Sequence, residues 1–146
     1  MLADMTPDQK RLVQHTFEQV VPIADTAAEL FYTRLFELDP SLRALFHGDM
    51  HEQGRKLMQM LTVAVRGLDR LDTLVPAVRA LGRRHVGYGV LPEHFETVGA
   101  ALLWTLGRGL GPSFTPEAQD AWAAVYDVVA GQMKAGMDEV ALPAAA

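Results

Sequence analysis

The chain of 146 residues contains no cysteine. That absence removes disulfides, thiolate catalysis, iron–sulfur clusters, cysteine zinc sites and cofactors attached through thioethers in one step. Positive charge is also scarce: 13 Lys and Arg stand against 18 Asp and Glu, a formal net charge of −5. A nucleic-acid binder needs a positive face, so none is expected; only Arg79, Arg83 and Arg84 make a small basic patch. Long hydrophobic runs are missing as well. The stretch Val98 to Leu106 is about half of the roughly 20 residues that a bilayer span requires. The polar, mildly acidic start from Met1 to Lys10 does not read as a secretory signal, so a cytoplasmic location is the default expectation. Runs of alternating β-branched residues are absent, and with them any sign of a sheet. No internal repeat, Gly-rich phosphate loop, nucleophile motif or paired-carboxylate arrangement is visible.

What is present is helical periodicity. Thr6-Pro7-Asp8-Gln9 combines an N-cap, a proline at the first helical position and a capping-box glutamine. The helix that it opens carries Leu12, Val13, Phe17 and Val20 inward and stops near Pro22. A second helix follows with Ala28, Phe31, Tyr32, Leu35 and Phe36, until Asp39-Pro40 interrupts it. A short helical turn through Leu42 and Leu45 then delivers Phe46, and His47-Gly48-Asp49 reads as a loop. From about His51 a longer helix presents Gln53, Leu57, Leu61, Ala64 and Leu68 on one face. The next segment, Leu74 to His85, is closed by the glycines of Val86-Gly87-Tyr88-Gly89. Pro92 is expected to open a helix burying Phe95, Val98, Leu102 and Leu106, and Gly111-Pro112 to end it. Thr115-Pro116-Glu117 starts the last helix, with Trp122, Val125, Val129 and Met133 inward. One all-α domain over 1–146 is therefore expected, with residues 1–5 and 141–146 as frayed tails. Helices of unequal length with short corners point away from a regular four-helix bundle.

His85 stands out because it ends a helix and is followed at once by glycines. Taken alone, it reads as a capping histidine at a helix C-terminus. Its company changes the reading. Pro40, Phe46, Gln53, Leu57 and His85, with the pair Phe31 and Tyr32 before them, stand in an order and spacing that closely resembles the globin family over roughly Thr6 to Val140. Leu81-Gly82-Arg83-Arg84-His85 with Tyr88-Gly89-Val90 resembles single-domain bacterial haemoglobins and the N-terminal haem domain of flavohaemoglobins, as do Asp120-Ala121-Trp122 and Val125-Tyr126. On that resemblance the chain stops where the flavin and nicotinamide domains of a flavohaemoglobin would begin.

The resemblance implies a globin fold of six to eight helices holding non-covalent haem b. His85 is the implied proximal ligand of the iron, with the carbonyl of Leu81 one turn back as acceptor for its other ring nitrogen. Tyr32 and Gln53 are the implied distal donors. Phe31, Phe46, Leu57, Val90, Phe95 and Val98 would line the pocket, and Arg84 would meet a propionate or simply face solvent. The implied ligands are dioxygen and, secondarily, carbon monoxide and nitric oxide, bound for storage, delivery or scavenging. Nitric oxide dioxygenation with a separate reductase is the enzymatic alternative. A gas sensor without its output domain and a haem-free helical module are further readings.

One departure matters. Flavohaemoglobins usually place a tyrosine and a glutamate by the proximal histidine; here Phe95 and Met137 stand at the matching positions, and neither hydrogen-bonds. Reversible binding is therefore expected over peroxidase-like turnover. Other candidates carry less. His47, Asp49 and His51 fall in a loop without a fourth ligand and read as a solvated corner. His51 also lies about 200° around the helix from Gln53, so it faces away. His15 and His94 read as surface residues, Met58, Met60 and Met133 as core filler, and Trp122 and Tyr126 as packing residues of the last helix.

Overall fold

The computed structural model describes the backbone of residues 5–145 and the side chains of residues 5–140. Six α-helices follow one another: α1 (Pro7–Val20), α2 (Ala24–Leu38), α3 (Met50–Arg66), α4 (Leu71–Gly87), α5 (His94–Leu110) and α6 (Pro116–Ala145). Short 3₁₀ turns at Val21–Ile23, Pro40–Leu45, Leu68–Arg70 and Gly111–Ser113 join them. No strand occurs among the described residues. None of the described helices is long and apolar enough to cross a membrane.

The helix ends follow local chemistry. Thr6 caps α1 through a complete capping box, its hydroxyl accepting from Gln9 N–H while Gln9 Oε1 accepts from Thr6 N–H. Asp49 caps α3 by accepting from His51 N–H at 2.9 Å, and the Thr115 hydroxyl accepts from Ala118 N–H at the start of α6. Each such cap is worth about 1 kcal/mol. Gly111, at φ 55°, turns the chain out of α5 where a side chain would be strained.

Several boundaries and placements differ from the sequence reading, among them the end of α4, which runs to Gly87 rather than stopping at His85. Helix α4 begins at Leu71 rather than Leu74, because Leu68 (0% exposed) anchors the preceding turn in the core and leaves no room for a long loop. Helix α5 begins at His94 rather than Pro92; Pro92 lies in the turn, where its carbonyl accepts from Phe95 N–H. His94, expected at the surface, is half-buried and its Nδ1 accepts from Leu91 N–H, a cap that Glu93 does not provide. Met5, counted with the N-terminal tail, is buried at 4% exposure, since the residue before the N-cap packs inward. Residues 1–4 and 146 of the expected tails lie outside the described residues, and the backbone of 141–145 continues α6.

The main core joins α1, α2, α5 and α6 with the end of α3 and the turn that follows it. Trp122, Phe17, Val13, Val65 and Leu68 are its most deeply buried large side chains. Trp122 Nε1–H donates to Thr16 Oγ1 at 2.8 Å, and Thr16 Oγ1–H in turn donates to the Leu12 carbonyl at 2.6 Å. The indole thus buries its ring without leaving its N–H unpaired. A smaller cluster of Phe95, Ala130, Met133 and Met137 lies between α4, α5 and α6, with Val78, Leu81 and Val90 against it. Tyr126 and Val129 border both clusters.

Candidate functional site

His85 occupies the last turn of α4, half-buried. Its Nδ1 lies 2.7 Å from the Leu81 carbonyl oxygen. A carbonyl can only accept, so Nδ1 carries the proton, and a neutral imidazole then leaves Nε2 as a bare lone pair. Burial pushes the His85 imidazole below its ordinary pKa; the Leu81 hydrogen bond pulls it back up, and the neighbouring Arg84 charge lowers it again. The neutral form, the one that ligates a metal, therefore prevails at neutral pH. The corner beyond is well tied down: Tyr88 N–H and Val90 N–H both donate to the His85 carbonyl at 3.1 Å, and Gly89 turns the chain at φ 86°.

The second group of expected residues comes together on α2 and the turn after it. Tyr32 packs edge-on against Phe31 (4.9 Å between centroids) and Phe46 (5.4 Å), and stacks on Phe36 at 6.1 Å. Pro40–Leu45 delivers Phe46 to this cluster, its first turn held by Ser41 N–H donating to the Asp39 carboxylate. Burial holds the Tyr32 hydroxyl above its ordinary pKa, partly offset by the Gln53 side chain reaching toward it. The phenol therefore stays protonated and available as a donor. Gln53 and Leu57 lie one turn apart on α3, both half-buried.

Helix α3, which carries Gln53 and Leu57, and helix α4, which carries His85, are neighbours in the chain yet make no extended packing contact. The row Gln53, Leu57, Leu61 and Ala64 on α3 is only half-buried, as are Val78, Leu81 and His85 on α4 and Val90 and Val98 beyond it. Half-buried apolar rows of this kind are a common feature of ligand-binding surfaces. The donor set fits a flat apolar group that carries a metal: one neutral imidazole nitrogen, two protonated or amide donors, and aliphatic and aromatic walls.

The remaining expectations divide. Phe95 and Met137 are both buried in the smaller cluster. Lys134 lies over the Phe95 ring at 5.4 Å. Arg84 is exposed. His51 is exposed as expected, and the described residues hold no group of three His, Asp or Glu able to bind a metal ion. One role was missed. Tyr126 does more than pack: its hydroxyl donates to the Phe95 carbonyl at 2.5 Å, and its ring fills the space that a side chain at Gly99 would need. No local signal reveals that contact, because its partners lie 31 residues apart.

The globin family profile matches residues 29–133. The chain is a globin. Among its relatives, neuroglobin of Danio rerio is 33% identical, the match covering 90% of this chain and 92% of that protein. A flavohemoprotein of Xylella fastidiosa is 31% identical over 92% of this globin, which spans only 34% of the flavohemoprotein's length. Among solved structures, an engineered carbene transferase from Rhodothermus marinus, described as an inferred nitric oxide dioxygenase, superposes with a TM-score of 0.87 at 25% identity. That superposition covers 97% of this globin and 99% of the other chain.

Proposed function

We propose that this globin holds haem b through His85, between α3 and α4, and reversibly binds a diatomic gas, above all dioxygen, beside Tyr32 and Gln53. The observation that carries the proposal is the His85–Leu81 hydrogen bond, which sets the tautomer and aims a lone pair from a helix that does not close against α3. A ferrous haem supplies one open coordination position for the gas. This chain's residues do the rest. Leu81 orients the imidazole, and Phe46, Leu57, Val90, Phe95 and Val98 exclude water with apolar bulk. The hydroxyl of Tyr32 and the amide of Gln53 would donate hydrogen bonds to a gas molecule held beside them. Arg84 is placed in solvent one residue before the ligand, where it can meet a propionate.

The apolar surroundings of Phe95 and Met137 support reversible binding over oxidative turnover. Beyond the Leu81 carbonyl, the residues at those two positions give the imidazole no acceptor to draw its proton further and push electron density toward the iron. The relationship to flavohemoproteins keeps one enzymatic reading in play, oxidation of nitric oxide with electrons from a separate reductase. Absorption spectra of the ferric, ferrous and CO-bound protein test the first reading: a protein without a Soret band overturns it. Sustained nitric oxide turnover with a ferredoxin or flavin reductase would establish the second.

A further inference from the structure

The interior holds an apolar cavity of ≈ 20 Å³, room for about one water-sized molecule. Two of its walls adjoin the proposed gas position: Phe31 packs on Tyr32, and Leu57 follows Gln53 by one turn. Its far wall includes Thr105 and Trp122. Both polar atoms are already engaged, since the Thr105 hydroxyl donates to the Ala101 carbonyl and the Trp122 N–H to Thr16. A buried water needs two to four polar partners, and this cavity leaves no donor free and only the Thr105 hydroxyl oxygen as acceptor, so it stays dry and suits an apolar guest.

A second hollow, ≈ 520 Å³ and open to solvent, lies between the corner joining α1 to α2 and the outer flank of α3. Val21 and Val63 at its mouth are 40% and 60% exposed. Neither hollow is lined by a charged residue. Met58 is the one residue that lines both. It is a partly buried, unbranched thioether, the side chain best able to swing without breaking a hydrogen bond or an ion pair.

We propose that Met58 gates an apolar entrance. Through it a small uncharged gas passes from the outer hollow into the dry cavity, and then past Phe31 and Leu57 to the pocket of Tyr32 and Gln53. The last leg rests on the haem reading, whereas the gate and the cavity do not. Charged products such as nitrate are turned away, because the route carries no counter-charge and, inward of Gln59 and Thr62 in the outer hollow, no free hydrogen-bond donor.

The test pairs Met58→Trp, which fills the passage, with Met58→Ala, which opens it. Xenon exchange followed by NMR reads the gate without any haem, and xenon density in pressurised crystals reads the cavity. Carbon monoxide association after flash photolysis reads the whole route in the haem-loaded protein. Met58→Trp is expected to slow both xenon exchange and CO association by about threefold or more, and Met58→Ala to quicken both by about twofold or more. Opposite shifts of that kind do not arise from simple destabilisation. Rates within about 1.5-fold of wild type in both variants overturn the gate, and pressurised crystals without xenon in the cavity overturn the docking site. A wild-type protein that takes up no haem overturns the haem reading alone, and xenon exchange then decides the gate.

Discussion

Gly82 of α4 and Gly136 of α6 interlock across one helix crossing. A Cβ at Gly82 would lie 2.1 Å from the Met133 carbonyl oxygen, and one at Gly136 would lie 2.1 Å from the Arg79 carbonyl oxygen. Each glycine therefore receives the backbone of the other helix at the position where a side chain would stand. Arg79 and Arg83 brace the same crossing from α4, donating to Gln132 at 2.9 Å and to Glu139 at 2.6 Å. The helix that carries His85 in its last turn is thus seated on α6 by main-chain contact, three residues before the histidine.

We predict that Gly82→Ala and Gly136→Ala each destabilise the fold by about 1–3 kcal/mol, as overpacking against a backbone does. Helix propensity alone would favour alanine by about 1 kcal/mol, so the sign of the change is diagnostic. Gly131→Ala, which has open space around its Cβ, is the control and is expected to stabilise slightly. Urea unfolding of the three variants checks this. A stabilised Gly82→Ala protein would mean that α4 and α6 are not so close.

The ligand assignment makes a mutational and a pH prediction. His85→Ala is expected to lose stable haem binding, or to retain haem that added imidazole rescues; an unchanged ferrous-CO spectrum would refute the assignment. Because burial lowers the folded-state pKa of His85, its favourable contribution is fully present above the ordinary histidine value of about 6.5. As pH falls below that value, the unfolded chain takes up a proton that the folded site resists, so stability declines toward the lower folded pKa. Protonation also removes the metal-binding lone pair. Haem release measured by the Soret band should therefore accelerate as pH falls below about 6.5, and His85→Gln should remove that dependence.

Tyr32 is predicted to be the stronger distal donor. Its ring is held by Phe31, Phe36 and Phe46, so little side-chain freedom is lost when the hydroxyl donates. Gln53 must order three torsions on a half-buried side chain. With a bond worth roughly 1–3 kcal/mol, Tyr32→Phe should speed dioxygen release by about one to two orders of magnitude. Carbon monoxide, which carries less charge when bound, should change far less. Stopped-flow release rates within twofold of wild type for Tyr32→Phe, with a large change for Gln53→Leu, would move the role to Gln53.

Phe95→Tyr combined with Met137→Glu is predicted to strengthen the proximal bond, since both side chains lie in one cluster that borders Leu81. Introducing an acceptor there should make the His85 imidazole more electron-donating and raise peroxidase activity. The iron–histidine stretching frequency is the direct readout, and an unaltered frequency in a folded, haem-loaded double variant would contradict this account of the proximal side.

The features that the sequence by itself determined are local ones. The capping box of Thr6 and Gln9, the break at Asp39-Pro40, the cap at Thr115 and the His85–Leu81 pairing each join residues no more than four apart, so helical geometry alone dictates their meeting. The order and spacing of Tyr32, Phe46, Gln53 and His85 along the chain added the family, which the globin profile over residues 29–133 bears out. Tertiary structure decided what distance in sequence conceals. Thr16 meets Trp122 across 106 residues and Tyr126 meets the Phe95 carbonyl across 31. Gly82 and Gly136 gave no helical signal that they must touch another backbone, and Met58 read as filler until the hollows on its two sides were known. These contacts depend on how whole helices cross, which is set by the summed shape of many side chains and not by any residue's own propensity.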